Sequence, residues 1–191
     1  MCGLCGFTGQ VANREEVIRE MAERITHRGP DSDGHYISGE NAGDSIAMGF
    51  RRLSIIDLEG GGQPLYNEDK TLVLMFNGEI YNYRILRDEL LEKGHVFATR
   101  SDSEVLIHGF EEWGEELLPR LRGMFAFVIR NNTDRSIFIA RDYFGIKPMH
   151  YTRLPDGRFI YASEIKCMTA HPDFTAEFNE QALDGYLSFQ Y

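Results

Sequence analysis

The chain has 191 residues, 42% hydrophobic and 26% charged, with a formal net charge of −10 and a pI near 5.1. That size and balance fit one large soluble domain. The acidity excludes a general nucleic-acid surface, which needs a basic footprint, and an anionic membrane surface. No apolar run approaches the ~20 residues of a membrane span, and no basic segment followed by an apolar stretch marks a secretory leader.

The chain opens Met1-Cys2-Gly3. With Met1 removed, the Cys2 thiol and a free α-amine share one carbon. An α-amine titrates near pH ~8, so it can act as a base beside the thiol. Leu4 to Gln10 reads as a strand. Cys2 and Cys5 also form a C-x-x-C, but it runs into a strand rather than opening a helix, and no second ligand pair completes a zinc site. The three cysteines are too few and too odd in number for a disulfide framework, so we expect a reducing, cytoplasmic compartment, with Cys5 and Cys167 as small core residues.

Asn13 with Glu16 reads as a capping box opening a helix whose apolar face carries Val17, Ile18, Met21, Ala22 and Ile25. Arg28-Gly29-Pro30-Asp31 ends it. Strands are expected over Ser45 to Phe50 and Thr71 to Phe76, with a flexible loop at Glu59 to Pro64 between them. A helix follows from Tyr83 to Lys93. Another is expected after the capping-box pattern Ser101 to Glu104, with Leu106, Phe110 and Trp113 as its stripe. Met124 to Ile129 and Ile137 to Ala140 read as strands apolar on both faces. His150 to Thr152 and Arg158 to Ala162 read as a hairpin around Pro155-Asp156-Gly157. Helix returns near Glu164 to Thr169 and from Asn179 to Phe189. Antiparallel strands apolar on both faces need cover on both, which predicts helices outside two stacked sheets. The apolar run at the last residues suggests a piece of a longer protein.

Four motifs carry chemistry, each with a plainer alternative. Arg28 to Asp31 reads as a turn. Arg52, in Arg-Leu-Ser-Ile-Ile-Asp, could hold a carboxylate through two parallel hydrogen bonds or form a surface ion pair. Asn77-Gly78-Glu79 could be a hairpin turn, or could donate to an oxyanion from the Asn77 amide and the Gly78 N–H. Asp102 could favour a helix start or bind an ammonium group. Taken together, a nucleophile, an oxyanion site, a carboxylate binder and an ammonium binder specify an amino acid with a reactive carbonyl.

With these motifs the chain resembles the glutaminase domain of class II glutamine amidotransferases, which are N-terminal-nucleophile hydrolases. Within them it resembles most the N-terminal half of glutamine-hydrolysing asparagine synthetases. The shared residues are Met-Cys-Gly at 1–3, His-Arg-Gly-Pro-Asp at 27–31, Arg-Leu-Ser-Ile-Ile-Asp at 52–57, Gln-Pro-Leu-Tyr-Asn at 63–67, Asn-Gly-Glu-Ile-Tyr-Asn at 77–82 and Ser-Asp at 101–102. Gly-Met-Phe-Ala-Phe at 123–127, Arg-Asp at 141–142, Gly-Ile-Lys-Pro at 145–148 and Ala-Ser-Glu-Ile-Lys at 162–166 also match.

The resemblance implies an α+β fold, a four-layer αββα sandwich of two mainly antiparallel sheets, with residues 1–191 as one glutaminase domain. It implies Cys2 as nucleophile, Asn77 and Gly78 as the oxyanion hole, and a glutamine site of Arg52, Leu53, Ser54, Ile55, Ile56, Asn77, Gly78, Glu79 and Asp102. Arg52 would take the α-carboxylate, and Asp102 with Glu79 the α-ammonium. L-glutamine would be hydrolysed to glutamate, with ammonia passing to an ATP-dependent synthetase domain that amidates aspartate. That domain is absent from these residues, where no Ser-Gly-Gly-x-Asp-Ser segment occurs. ATP and Mg²⁺ would belong to it, and no metal or cofactor is implied here. A different acceptor, a catalytically silent docking domain and a homodimer stay open. Phe50 stands where members of the family often have His.

Overall fold

The computed structural model describes residues 1–39, 41, 44–53 and 62–190. Nine strands form two sheets. One has five strands in the order β2 (Ser32–Ser38), β3 (Ile46–Arg52), β1 (Gly3–Thr8), β9 (Phe159–Ala162), β8 (His150–Arg153). The other has four in the order β4 (Leu65–Tyr66), β5 (Leu72–Ile80), β6 (Gly123–Asn131), β7 (Ile137–Arg141). Every pairing among the described residues is antiparallel. The helices are α1 (Arg14–Glu23), α2 (Tyr83–Glu92), α3 (Glu104–Trp113), α4 (Ile165–Met168) and α5 (Glu180–Phe189).

Side chains alternate across a strand, so each strand feeds two cores. Leu4, Ile46, Met48, Phe50, Met75, Ala126 and Val128 meet between the sheets. Cys5, Phe7 and Ala47 point the other way, onto Ile18, Met21 and Ala22 of α1 and Cys167 and Met168 of α4. Leu72, Leu74, Phe76, Phe125, Phe127 and Ile129 likewise pack on Leu86 and Leu90 of α2 and on Val105 and Leu106 of α3. Three stacked cores make the expected αββα sandwich. Burying each such Leu, Ile or Phe side chain contributes about 1.5–3 kcal/mol.

The structure also departs from the expectations. β2 was not read from the sequence: it is an edge strand of mostly exposed or half-buried residues and lacks a clear apolar alternation. β5 runs on to Ile80, so Asn77-Gly78 lies inside a strand and is no hairpin turn. Asn13 is left-handed (φ 55°) and its side chain caps nothing. In the 101–104 pattern the Ser101 hydroxyl does accept from the Ser103 N–H at 3.3 Å, but Glu104 accepts from the Ala98 and Thr99 N–H groups instead of closing a box. At α5 a side-chain cap does form, Asn179 accepting from the Ala182 N–H. Among the described residues no helix is long and apolar enough to cross a membrane.

Candidate active site

Strand parity assembles the site before any loop is considered. On β3 the even residues face between the sheets, which places Arg52 there in line with Met48 and Phe50. On β5 the odd residues do so, which places Asn77 and Glu79 in line with Met75. Cys2 continues β1 on the face of Leu4. These side chains line one cavity of about 130 Å³ between the sheets, with Leu53, Gly78 and Asp102. Ser54, Ile55 and Ile56, and residues 59–61 of the glycine-rich loop, lie outside the described residues.

The Cys2 sulfur sits 3.4 Å from the Leu53 N–H, which donates to it, and 3.6 Å from the Leu53 carbonyl. Its backbone is held from behind. Arg28 Nε donates to the Cys2 carbonyl at 2.9 Å, and Arg28 Nη1 pairs with Glu164 at 3.1 Å. Glu164 also meets His27 at 2.9 Å and Lys166 at 3.1 Å. Burial pushes this carboxyl up, but the hydrogen bonds from Arg28, His27 and Lys166 outweigh it and hold its pKa at about 2. Gly3 is needed here, because a Cβ on it would lie 2.8 Å from Ile25 Cδ1 and 3.2 Å from Arg28 Cδ. The segment from 27 to 31 is therefore more than a turn, since it anchors the residue that carries the thiol.

Register decides where the two donors expected to hold an oxyanion, Asn77 and Gly78, point. Phe125 turns both its backbone groups to Asp142, on the β7 side of β6: its carbonyl accepts from the Asp142 N–H and its N–H donates to the Asp142 carboxylate. Its partner Gly78 is thus a non-hydrogen-bonded pair, and the Gly78 N–H points away from β6 toward the far edge of β5. On that edge Gln63 takes both polar groups of Phe76 through its side-chain amide, at 2.7 and 2.9 Å. Asp102 accepts from the Ile80 N–H at 2.8 Å. Gly78, between the two, has no acceptor among the described residues. Next to it the Asn77 amide nitrogen is buried and has no hydrogen-bond partner among the described residues, although the residue is only 2% exposed. Gly78 itself admits no side chain, because a Cβ there would collide with the Met124 carbonyl and lie 2.7 Å from Phe125 Cα.

The cavity has opposite charges on its walls. Arg52 and Lys147 are buried cations; Asp102 is a buried anion with Glu79 beside it. Burial raises the pKa of Asp102, the Ile80 N–H opposes the shift, and the nearby Glu79 charge adds to it. Phe50, 1% exposed, is packed in the core between the sheets and lines the cavity as an apolar wall, so this position offers no polar contact. Lys147 Nζ lies 3.3 Å from the Met1 sulfur, and Met1 takes up part of the cavity wall. Gln63, Ser101, Ser103 and Lys147 join the site without having been singled out from the sequence. Their signal was faint: Gln63, Ser101 and Lys147 stand in matching motifs without an assigned role, and Ser103 only in the helix-start pattern.

Residues 1–191 match the family described as glutamine amidotransferase domain. The chain belongs to that family. Among its relatives is asparagine synthetase [glutamine-hydrolyzing] 1 of Bacillus subtilis, 48% identical over 98% of this chain and 30% of that protein. Asparagine synthetase [glutamine-hydrolyzing] 2 of Arabidopsis thaliana is 44% identical over 88% of this chain and 28% of its own length. The domain thus spans about 30% of the length of these curated relatives. Glutamine phosphoribosylpyrophosphate amidotransferase of B. subtilis, solved with ADP and GMP, shares the fold with TM-score 0.71 and 22% identity, over 88% of this chain and 43% of that one. The expected sandwich is thereby shared with this solved amidotransferase.

Proposed function

We propose that this domain hydrolyses L-glutamine at Cys2 and supplies the ammonia to an ATP-dependent synthetase domain that amidates aspartate. The observation that carries the reading is the pair of donors without acceptors, the Asn77 amide and the Gly78 N–H, on the cavity that holds the Cys2 sulfur. A preorganised donor pair is worth most where charge develops in the transition state. Arg52 suits the α-carboxylate and Asp102 with Glu79 the α-ammonium, so the charges fix which end of the amino acid faces the sulfur.

After Met1 is removed, the α-amine takes the Cys2 proton and the thiolate attacks the carbon of the side-chain amide. The tetrahedral oxyanion rests on Asn77 and Gly78. The C–N bond breaks as the amine's proton passes to the leaving nitrogen, giving ammonia and a γ-glutamyl thioester. Water then cleaves the thioester to glutamate and restores the thiol. Sulfur, amine and the two donors complete this chemistry without a metal or organic cofactor, and ATP and Mg²⁺ would serve the synthetase domain. The names of the relatives support aspartate as acceptor. The exposed apolar side chains of α5, Leu183, Tyr186, Leu187 and Phe189, support packing against a further domain. The buried free thiols of Cys5 and Cys167 suit a reducing cytoplasm.

Glutamate release from glutamine tests the proposal. Cys2→Ala should abolish it, and Asn77→Ala should lower kcat by about 10²–10³ with little change in KM. Mass spectrometry of active protein should find Met1 missing. Full activity with Met1 retained, or an unchanged kcat in Asn77→Ala, would overturn the mechanism; no glutamate release at all would favour a silent docking domain.

A further inference from the structure

A second cluster of chemistry-bearing side chains lies on the α3 side of the molecule and does not belong to the cavity. Glu68, between β4 and β5, His95, between α2 and α3, and His108, within α3, each present one ligand atom within 4.8 Å of the others. Glu111 Oε2 stands 3.6 Å from Nδ1 of both histidines, and Glu68 Oε2 is 3.7 Å from His108 Nδ1. His108 is 1% exposed, yet neither of its ring nitrogens has a hydrogen-bond partner. A buried imidazole left this way is costly unless something fills the gap.

The spacing says what would fill it. Four ligands about 2.1 Å from a zinc ion stand about 3.4 Å apart in a tetrahedron. Glu111 to each histidine and Glu68 to His108 come near that at 3.6, 3.6 and 3.7 Å, while Glu68, His95 and His108 lie within 4.8 Å of one another. Each histidine turns Nδ1 toward the common centre and Nε2 toward another carboxylate. His108 Nε2 is 3.6 Å from Glu104, and His95 Nε2 is 3.4 Å from Glu112. Outer carboxylates that orient metal-bound imidazoles are usual in zinc sites. Glu104 is itself fixed by the Ala98 and Thr99 N–H groups, and Glu111 by Asn67 Nδ2 at 3.3 Å. Lys93 is the cation seen beside this group, paired with Glu112 at 2.8 Å. Two neutral histidines and two carboxylates would neutralise a divalent ion, and the exposed Glu68 leaves it a way in.

We propose that Glu68, His95, His108 and Glu111 bind a divalent transition-metal ion, Zn²⁺ by their chemistry, as a clamp tying the β4–β5 turn and the α2–α3 connection to α3. Nitrogen and oxygen donors in this number favour zinc over calcium or magnesium, which take oxygen. The occupant the clamp must outcompete is a proton on His108, which the surrounding carboxylates also favour.

Untagged Cys2→Ala protein, which lacks the competing thiol and amine pair, is stripped with chelator and titrated with Zn²⁺ and, separately, Co²⁺. We expect one equivalent bound, visible Co²⁺ bands of a four- or five-coordinate site, and a rise in Tm with Zn²⁺. His95→Gln, at a partly buried position, and Glu68→Gln, at an exposed one, both less prone to misfold than a change at fully buried His108, should each weaken binding at least about tenfold. Stoichiometric binding of equal strength in these variants would place the metal elsewhere. Failure of the parent protein to bind an equivalent would leave the cluster to the proton. Either result overturns the proposal.

Discussion

Asp102 and Asp142 are a matched pair with opposite fates. Both are buried, at 7% and 5% exposure, and both accept a backbone N–H from the four-stranded sheet, Ile80 for one and Phe125 for the other. Asp142 also takes the Ile146 and Lys147 N–H groups at 2.8 and 2.9 Å. Burial would raise its pKa, but the three N–H donors and the Arg141 charge win, and it is lowered. Asp102 has the one N–H and a 3.5 Å contact from Ser101 Oγ, and it faces Glu79. Its pKa is raised. A carboxylate saturated by its own backbone builds a loop. One left short of donors at a cavity wall retains capacity for a ligand cation.

The comparison is broken most easily at Asp142. Asp142→Ala strands three N–H groups, each costing about 1–3 kcal/mol, so unfolding by urea should show a loss of about 3 kcal/mol or more. A loss under about 1 kcal/mol would mean that the 142–147 loop does not depend on it. Asp102→Asn should barely alter folding but raise KM for glutamine by about a hundredfold, as removal of one partner from a buried charge pair does. An unchanged KM would remove Asp102 from the ammonium site.

The smallest effects carry the sharpest signature, because the two residues should move stability with pH in opposite senses. Asp142 has a depressed folded pKa, so its contribution is full above the unfolded value of ~3.9 and is lost as pH falls through the folded one. Asp102 has a raised folded pKa, so its charged form opposes folding at neutral pH. Asp102→Asn should therefore be slightly stabilising near neutrality. That gain should fade as pH falls through the raised pKa and vanish near ~3.9. A gain that grew on acidification would reverse the assignment.

Much of this was legible in advance. The strands expected over 45–50 and 71–76 lie largely within β3 and β5, and carrying their two-residue period on to Arg52 and Asn77 sorts both onto a shared face once the core side is known. Capping was read less well. Asn13 sits in the left-handed region and its side chain caps nothing, and in the 101–104 pattern Glu104 is drawn to the Ala98 and Thr99 backbone rather than back to Ser101. The edge strand β2 was missed, since one row of pairing to β3 with little burial leaves no periodic trace.

By itself the sequence determined the chemical parts: a thiol at position 2, an amide at 77, a guanidinium at 52, and the alternation that turns the latter two inward. Tertiary structure alone decided which groups meet. Arg28 reaches the Cys2 carbonyl and Glu164, 136 residues away from it in sequence, and Glu68, His95 and His108 converge from a turn, a connection and a helix. The reason is that local pattern fixes the face a side chain takes. The distance between faces is set by sheet register and by how helices seat on the cores, and neither is written in any one segment.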